Sequence, residues 1–152
     1  MTSADYVVSC LSTRMYSEPK DDSLLGFTAC GLVIRNRVMA GWGPWLTLIM
    51  NHDKYSAKPD EPRALVFGDP DHDTIFRRCI GIAENIYAGR EKDICEGALW
   101  YGRLDDCSED FKERIVRPQK FIDDMKYPQR DQSREIQQHE MVAKIGRQMF
   151  FK

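Results

Sequence analysis

Glu18 is the residue whose position in the chain best suits acid–base chemistry. Pro19 disfavours a helical conformation for the residue before it, so Glu18 is expected to be the last residue of a helix or the first of a turn. Residues 24–34, which follow, are almost entirely apolar. A carboxyl group held against such a segment loses solvation, which raises its pKa and lets it protonate a leaving oxygen, as in glycoside cleavage. The alternative is a solvated carboxylate at a helix end.

A second group of acidic residues precedes a later helical pattern. Asp69, Asp71, His72 and Asp73 carry side chains that could bind a metal ion. Acidic residues at a helix N-terminus also interact favourably with the helix dipole and with the free amide groups of the first turn. Capping and metal binding are both open for this cluster, and the helix that follows it favours capping.

The cysteines form no recognisable catalytic or metal-binding pattern. There are five, an odd number, and they are widely spaced with no C-x-x-C pair. We expect them to be reduced, with Cys10, Cys30 and Cys79 lying in helices as small apolar residues. A cysteine nucleophile would need a histidine as its base, and no spacing in the sequence pairs one of the three histidines with a cysteine.

Three main helices are predicted around these residues from hydrophobic periodicity. The first covers about residues 4–17, the second follows possible capping residues at 21–23, and the third runs from the acidic cluster to a stop at Gly89. The second helix is apolar nearly all round and is therefore expected to be buried at the centre of the fold. Gly26 and Gly31 each weaken it by about 1 kcal/mol relative to alanine, so another backbone is expected to pack closely there.

Shorter elements complete the predicted fold. Residues 45–56 could begin as a short helix and pass into an extended piece. Residues 97–106 favour a strand, residues 109–116 another short helix, and two apolar pieces around Gly146 a hairpin. Residues 117–139 are polar and rich in turn formers. The sequence thus predicts a single domain over residues 1–152, α+β in class, mainly helical with a small antiparallel sheet.

Composition excludes several classes of function. The formal net charge of the 152 residues is −2, which gives no basic footprint for nucleic acid. The apolar stretches are shorter than the roughly 18–20 residues that a membrane-spanning helix needs, and the N-terminus lacks the order of a signal peptide. We therefore expect synthesis in the cytoplasm without membrane insertion, so that any target in the cell wall would be reached only after delivery.

The sequence around Glu18 resembles the SleB-type cell-wall hydrolases, a family named for the spore-cortex-lytic enzyme. The family pattern is approximately Y-x-E-A-x-G-E-x-x-x-G-x-x-A-V-x-x-V-I-x-N-R-V. The matching positions, found without a gap, are Tyr16, Glu18, Asp22, Gly26, Ala29, Val33, Ile34, Asn36, Arg37 and Val38. Later family motifs resemble Lys54–Ser56, then Gly89, Asp93, Gly97, Ala98, Trp100 and Tyr101, and finally Ile145, Gly146, Met149 and Phe150. The resemblance spans nearly the whole chain in the same order.

This resemblance implies a lysozyme-like domain that cleaves the β-1,4 bond between N-acetylmuramic acid and N-acetylglucosamine in peptidoglycan. Family members resemble lytic transglycosylases, which need one carboxyl group, and the role of catalytic acid is carried over to Glu18. Asp22, Tyr55, Ser56 and Tyr101 match positions that line the substrate groove, although Asp22 could equally cap the second helix and the others could pack in the core. No metal or other cofactor is expected.

A true lysozyme would normally need a second carboxylate, about 5 Å from the first in a retaining enzyme. Asp22, Asp53 and Asp93 are the candidates, and their spacing does not choose among them. Asn36, at the end of an apolar helix, more readily ties down a neighbouring loop. Lys54 replaces a family glutamine, and a cation near Glu18 would lower the pKa of its carboxyl group.

Two settings suit a wall-cleaving protein without an export signal. One is a phage endolysin released through a holin, and the other is an antibacterial effector delivered by a secretion machine, with a cognate immunity protein in the producing cell. Two alternatives in function are a non-catalytic peptidoglycan-binding or phage-structural protein on the same scaffold, and a peptidoglycan amidase. The amidase is disfavoured because its metal would need a clustered histidine set.

Overall fold

The described part of the chain is an α+β fold with a small antiparallel sheet, as predicted. The structure is a computed structural model that describes residues 2–18, 24–52, 65–102, 141–145 and 148–152. Within these ranges it contains four helices and three strands. They are α1 (Ser3–Ser17), α2 (Leu24–Met39), α3 (Trp45–Met50), α4 (Thr74–Tyr87), β1 (Trp100–Gly102), β2 (Met141–Ile145) and β3 (Gln148–Phe151). The predictions for residues 109–116 and 117–139 lie outside the described residues.

Helix α1 begins and ends where the sequence predicts. Thr2 forms a capping box with Asp5: the Thr2 hydroxyl accepts a hydrogen bond from the Asp5 amide at 3.1 Å, and the Asp5 carboxylate accepts one from the Thr2 amide at 2.9 Å. At the other end Glu18 is the C-cap residue, and its amide donates to the carbonyl of Met15 at 3.4 Å. The predicted position of Glu18 at the end of the first helix is therefore confirmed.

Helix α2 is the buried centre of the helical layer, as predicted. It packs against α1, α3 and α4, and most of its side chains are buried around the whole circumference. Phe27, Leu32, Val33 and Ile34 are at most 1% exposed. Because burial of each such side chain contributes about 1.5–3 kcal/mol, this helix is the main source of hydrophobic stabilisation among the described elements.

Gly31 allows α1 and α4 to approach α2 closely. A Cβ atom at this position would lie 2.7 Å from Cδ1 of Ile86 in α4 and 2.8 Å from Sδ of Met15 in α1. The close approach predicted for this glycine is present, but it is made by side chains and not by a second backbone. Gly81, on α4, has nothing within 4 Å of an added Cβ.

Substitution of Gly31 by alanine should destabilise the fold, whereas the same change at Gly81 should not. At Gly31 the forced displacement of two buried side chains outweighs the gain in helix propensity, and we expect a loss of about 1–2 kcal/mol in the free energy of unfolding. Gly81→Ala is the matched control and should gain about 0.5–1 kcal/mol. Urea denaturation of both variants measures the difference, and equal stabilities would contradict the packing role of Gly31.

Helix α4 begins at the acidic cluster, and the capping interpretation of that cluster is confirmed for Asp73. The carboxylate of Asp73 is the N-cap acceptor for the amide of Phe76 at 3.0 Å, and it also accepts a hydrogen bond from the hydroxyl of Tyr16 in α1. These bonds lower the pKa of Asp73. Asp69 accepts a hydrogen bond from the amide of Asp71 at 2.9 Å, which orders the turn before the helix.

The strands form one antiparallel sheet with the order β1-β3-β2. Tyr101 of β1 pairs with Phe150 of β3, and Lys144 of β2 pairs with Met149 of β3. The predicted C-terminal hairpin is therefore confirmed in its strand pairing, while Gly146 of its turn lies outside the described residues. Phe150 is 1% exposed and stacks on the Tyr101 ring at 5.6 Å, so the sheet closes the core beside α2.

None of the described helices combines the length and the apolar character that crossing a membrane requires.

Candidate functional site

Glu18 is a buried carboxyl group and not a solvated one. Its exposed fraction is 8%, although it lies at the C-cap of α1, where helix ends are usually hydrated. The alternative of a solvated helix-end carboxylate is therefore wrong. Its two oxygens face different groups: Oε1 lies 3.2 Å from Nη1 of Arg14, and Oε2 lies 3.8 Å from Nε2 of His52.

Arg14 links Glu18 to the end of α3. Its guanidinium donates to the carbonyl of Ile49 at 2.9 Å and to that of Met50 at 3.4 Å, as well as to Glu18. These carbonyls belong to the last turn of α3, where no further helical amide can reach them. Arg14 is 2% exposed, so its charge is compensated inside the protein. Its position one helical turn before Glu18 favours the ionised carboxylate, whereas the burial of Glu18 favours the protonated acid.

His52 follows α3 and connects Glu18 to residues on other elements. It is 1% exposed. Its Nε2 atom lies 2.8 Å from the hydroxyl oxygen of Tyr101, and its Nδ1 atom lies 3.3 Å from Nη1 of Arg37. The imidazole is thus held at both nitrogens, and its Nε2 edge faces both Tyr101 and Glu18.

Arg37 and Asn36 fix the segment that leads into β1. The Nε atom of Arg37 donates to the carbonyl of Leu99 at 2.8 Å, and the side-chain amide of Asn36 donates to the carbonyl of Ala98 at 3.1 Å. The predicted role of Asn36 in tying down a neighbouring loop is therefore confirmed. Arg37 is 1% exposed and lies over the ring of Trp42, 5.4 Å from its centroid, which stabilises the buried cation further.

Tyr101 directs its hydroxyl group into the protein. The hydroxyl donates to Sγ of Cys30 at 3.6 Å and lies within hydrogen-bonding distance of His52. Burial, followed by the nearby Cys30 and Glu18, raises the pKa of Tyr101 well above its usual value. These contacts give the hydroxyl two internal partners, and its contact with a sugar stays a prediction.

Cys30 is linked to His52 through the hydroxyl group of Tyr101, a connection that the sequence did not reveal. Burial is the main cause that raises the pKa of its thiol, and the negative charge of Glu18 raises it further. Because the thiolate is the nucleophilic form, this thiol is unsuited to covalent catalysis. Burial also raises the pKa of Cys79 to about 11 and that of Cys95 to about 12. The four described cysteines are free, and Cys10 is only partly buried.

Asp93, a candidate for a second catalytic carboxylate, is engaged in a turn before β1. Its Oδ1 atom accepts a hydrogen bond from the amide of Cys95 at 2.9 Å, and its Oδ2 atom accepts one from that of Gly97 at 2.8 Å. Gly97 has φ of 81° and Glu96 has φ of 52°, so the turn needs two residues in the left-handed region. The structure therefore gives Asp93 a local role in shaping this turn.

Several residues predicted for the site lie outside the described ranges. They are Asp22, Asp53, Lys54, Tyr55 and Ser56. Of the predicted site residues, the structure brings Glu18 and Tyr101 together through His52. Arg14, Arg37 and His52 were not predicted as site residues. The four-residue spacing of Arg14 and Glu18 was a usable sequence signal for an ion pair. No feature of the sequence indicated that His52 would be buried.

A separate groove of about 510 Å³ lies between α1 and α4. Ser9, Phe67, Phe76 and Glu84 are among the residues that line it, and Glu18 is not. Phe67 is 78% exposed at its edge. Among the residues that the structure describes, no group of three His, Cys, Asp or Glu side chains could hold a metal ion.

Comparison of the chain with protein-family models, with curated proteins and with solved structures gave no match. The resemblance to the SleB-type hydrolases therefore remains a prediction that rests on the residues of this chain.

Proposed function

We propose that this protein cleaves the β-1,4 bond between N-acetylmuramic acid and N-acetylglucosamine in peptidoglycan, as a lytic transglycosylase on a lysozyme-like domain. Glu18 would be its general acid and base. The observation that supports the proposal is the position of Glu18: a carboxyl group at a helix end, 8% exposed, with one oxygen held by Arg14 and the other facing His52. Burial of this kind favours a carboxyl group that carries a proton.

The reaction would need one carboxyl group used twice. Glu18 donates its proton to the glycosidic oxygen as the bond from that oxygen to the anomeric carbon breaks. The resulting carboxylate then accepts the proton of the muramic 6-hydroxyl as that oxygen bonds to the anomeric carbon. Glu18 regains its proton, no water is consumed, and the product is a 1,6-anhydro sugar. Arg14 and His52 lie beside the carboxylate that exists between the two steps.

Delivery to the wall would define the biological setting. The protein would act as a phage endolysin released through a holin, or as a secreted antibacterial effector whose producer carries an immunity protein. The partner in either setting is the glycan strand of peptidoglycan, without nucleic acid or membrane insertion.

Mass spectrometry of the soluble products from purified peptidoglycan tests the reaction class. Muropeptides lighter by one water than their reducing counterparts would support a lytic transglycosylase. Reducing muramic ends would indicate a hydrolytic lysozyme and a second carboxylate. Free stem peptides with intact glycan would indicate an amidase and overturn the proposal.

A second candidate is a non-catalytic peptidoglycan-binding or phage-structural protein, which the contact between Arg14 and Glu18 favours. An arginine 3.2 Å from Oε1 stabilises the ionised form of Glu18, and this form cannot donate a proton. In that case the pair would serve only to join α1 to α3. Binding of the protein to insoluble peptidoglycan without release of any soluble product would support this candidate.

A further inference from the structure

The hydrogen-bonding capacity of Arg37 determines which nitrogen of His52 carries hydrogen. A guanidinium group has donors and no acceptor, and Nη1 of Arg37 lies 3.3 Å from Nδ1 of His52. Nδ1 must therefore accept the hydrogen bond with its lone pair. A neutral imidazole has one N–H group, so the hydrogen of His52 is on Nε2.

The neighbours of Nε2 agree with this assignment. Nε2 of His52 lies 2.8 Å from the hydroxyl oxygen of Tyr101, and this hydroxyl group has Sγ of Cys30 as an acceptor 3.6 Å away. Each group therefore donates a hydrogen bond to the next one: Arg37 to His52, His52 to Tyr101, and Tyr101 to Cys30. This order needs no hydrogen on Nδ1.

Two charged groups act on His52 in opposite directions: Arg37 disfavours the protonated imidazolium, and Glu18 favours it. The described titratable or charged side chains in the network around it are Arg14 and Glu18 from α1, Cys30 and Arg37 from α2, and Tyr101 from β1. Protonation of Nδ1 would remove the acceptor that Arg37 uses and place two cations in contact. Without Arg37, the carboxylate of Glu18, 3.8 Å from Nε2, would favour the charged imidazole.

We infer that Arg37 holds His52 as the neutral Nε2–H tautomer, and that this makes His52 a positioning residue that leaves the transferable proton on Oε2 of Glu18. Nε2 already carries hydrogen, so His52 cannot take the proton of Glu18. Because Oε1 accepts from Arg14, the protonated form of Glu18 that the proposed reaction needs carries its hydrogen on Oε2. An imidazolium at this site would instead hold Glu18 as a carboxylate. The part of this inference that concerns Glu18 rests on the proposed function, whereas the tautomer of His52 does not.

Nitrogen NMR of the wild-type protein tests the tautomer without any assay of activity. Long-range proton–nitrogen spectra should show Nδ1 of His52 as an unprotonated nitrogen and Nε2 as a protonated one, unchanged from about pH 5 to pH 8. The signals are assigned by their loss in the His52→Gln variant, and the exposed His72 serves as the reference imidazole in the same spectra. A hydrogen on Nδ1 at pH 7 would overturn the inference.

The pH dependence of Arg37→Met tests the consequence for Glu18. With the guanidinium gone, no cation opposes a second proton on the imidazole, and Glu18 beside Nε2 favours it, so the ratio of variant to wild-type cleavage rate should fall several-fold as the pH is lowered from 8 to 5. A purely structural role of Arg37 would give a ratio that does not change with pH, and this result would overturn the inference. The double variant Arg37→Met/His52→Gln should show no such fall.

Failures of the two proposals are distinguishable. If Glu18→Gln cleaves peptidoglycan as fast as the wild type, the proposed function fails, whatever tautomer NMR finds for His52. If Glu18→Gln is inactive but His52 carries hydrogen on Nδ1, the proposed function stands and the inference fails. Should Arg37→Met not fold, the spectra of the wild type still decide the tautomer.

Discussion

Replacement of Glu18 by glutamine is expected to lower the rate of peptidoglycan cleavage by about 10²–10⁴-fold, the range that a general acid contributes. Glutamine has nearly the same shape, and its amide oxygen can still accept the hydrogen bond from Arg14, which lies 3.2 Å from Oε1 of Glu18. It has no proton to donate to the glycosidic oxygen. The loss should therefore appear in kcat, with binding to insoluble peptidoglycan little changed, and turbidity clearing of purified walls measures it.

The matched control is Glu84→Gln, which makes the same chemical change on α4. Glu84 is exposed and lines the groove between α1 and α4, away from the contacts of Glu18. Its substitution should leave the cleavage rate within about twofold of the wild type, because surface changes have small effects. Loss of activity in Glu84→Gln together with full activity in Glu18→Gln would move the catalytic carboxylate to the groove. Circular dichroism of both variants checks that each is folded.

The elements around Glu18 were predictable because each follows from local sequence. Pro19 sets the end of α1, the apolar run from Leu24 sets α2, and the Asp73 cap sets the start of α4. The pairing of the C-terminal strands also followed from two apolar pieces around one glycine. These signals act within a few residues of chain, where propensity and capping are decisive.

The partners of Glu18 were not predictable in the same way, because most of them are distant in sequence. His52 lies 34 positions after Glu18 along the chain, and it meets Tyr101 across a further 49 residues. Nothing in the residues around position 52 marks it as 1% exposed. Arg14 is the exception: it lies four residues before Glu18 on the same helix, a spacing that brings side chains together. Lys54, the cation considered from the sequence, lies outside the described residues, and the structure places the guanidinium of Arg14 beside Glu18.

Arg14 contributes a fixed positive charge to the site. It is 2% exposed, and its guanidinium donates to the carbonyls of Ile49 and Met50 as well as to Glu18. Its charge cannot move away from the carboxylate without breaking those bonds. Burial and this fixed cation therefore act in opposite directions on the proton of Glu18, and removal of Arg14 should shift the balance towards the protonated acid.

Substitution of Arg14 by methionine is expected to lower the free energy of unfolding by about 3–5 kcal/mol at pH 7, the cost of removing one partner of a buried ion pair. Methionine fills much of the same volume but removes the guanidinium beside Oε1 of Glu18 and the hydrogen bonds that Arg14 donates to the carbonyls of Ile49 and Met50. Arg78→Met, an exposed change on α4, is the matched control and should alter stability by less than about 0.5 kcal/mol. Urea denaturation measures both.

The pH dependence of this loss separates the ion pair from the lost hydrogen bonds. In Arg14→Met the burial of Glu18 is no longer offset by this guanidinium, which favours the protonated carboxyl in the folded state. The folded state of the variant then holds a proton that the unfolded state releases. Stability is therefore lost as the pH rises from acid to neutral, and the electrostatic part of the loss disappears in acid, where the carboxyl is protonated in both states.

The double variant Arg14→Met/Glu18→Gln contains neither charge and therefore tests whether the pH-dependent loss belongs to Glu18. Its stability relative to the wild type should not show the loss that Arg14→Met develops between acid and neutral pH, since no buried carboxylate remains to take up a proton. At pH 7 it should be more stable than Arg14→Met, because an uncharged amide is less costly to bury without a partner than a carboxylate. A loss in Arg14→Met that is equal at pH 4 and pH 7 would instead mean that Arg14 stabilises the fold through the α3 carbonyls alone. In that case Glu18 would be governed by its burial, which is the condition that favours its role as an acid.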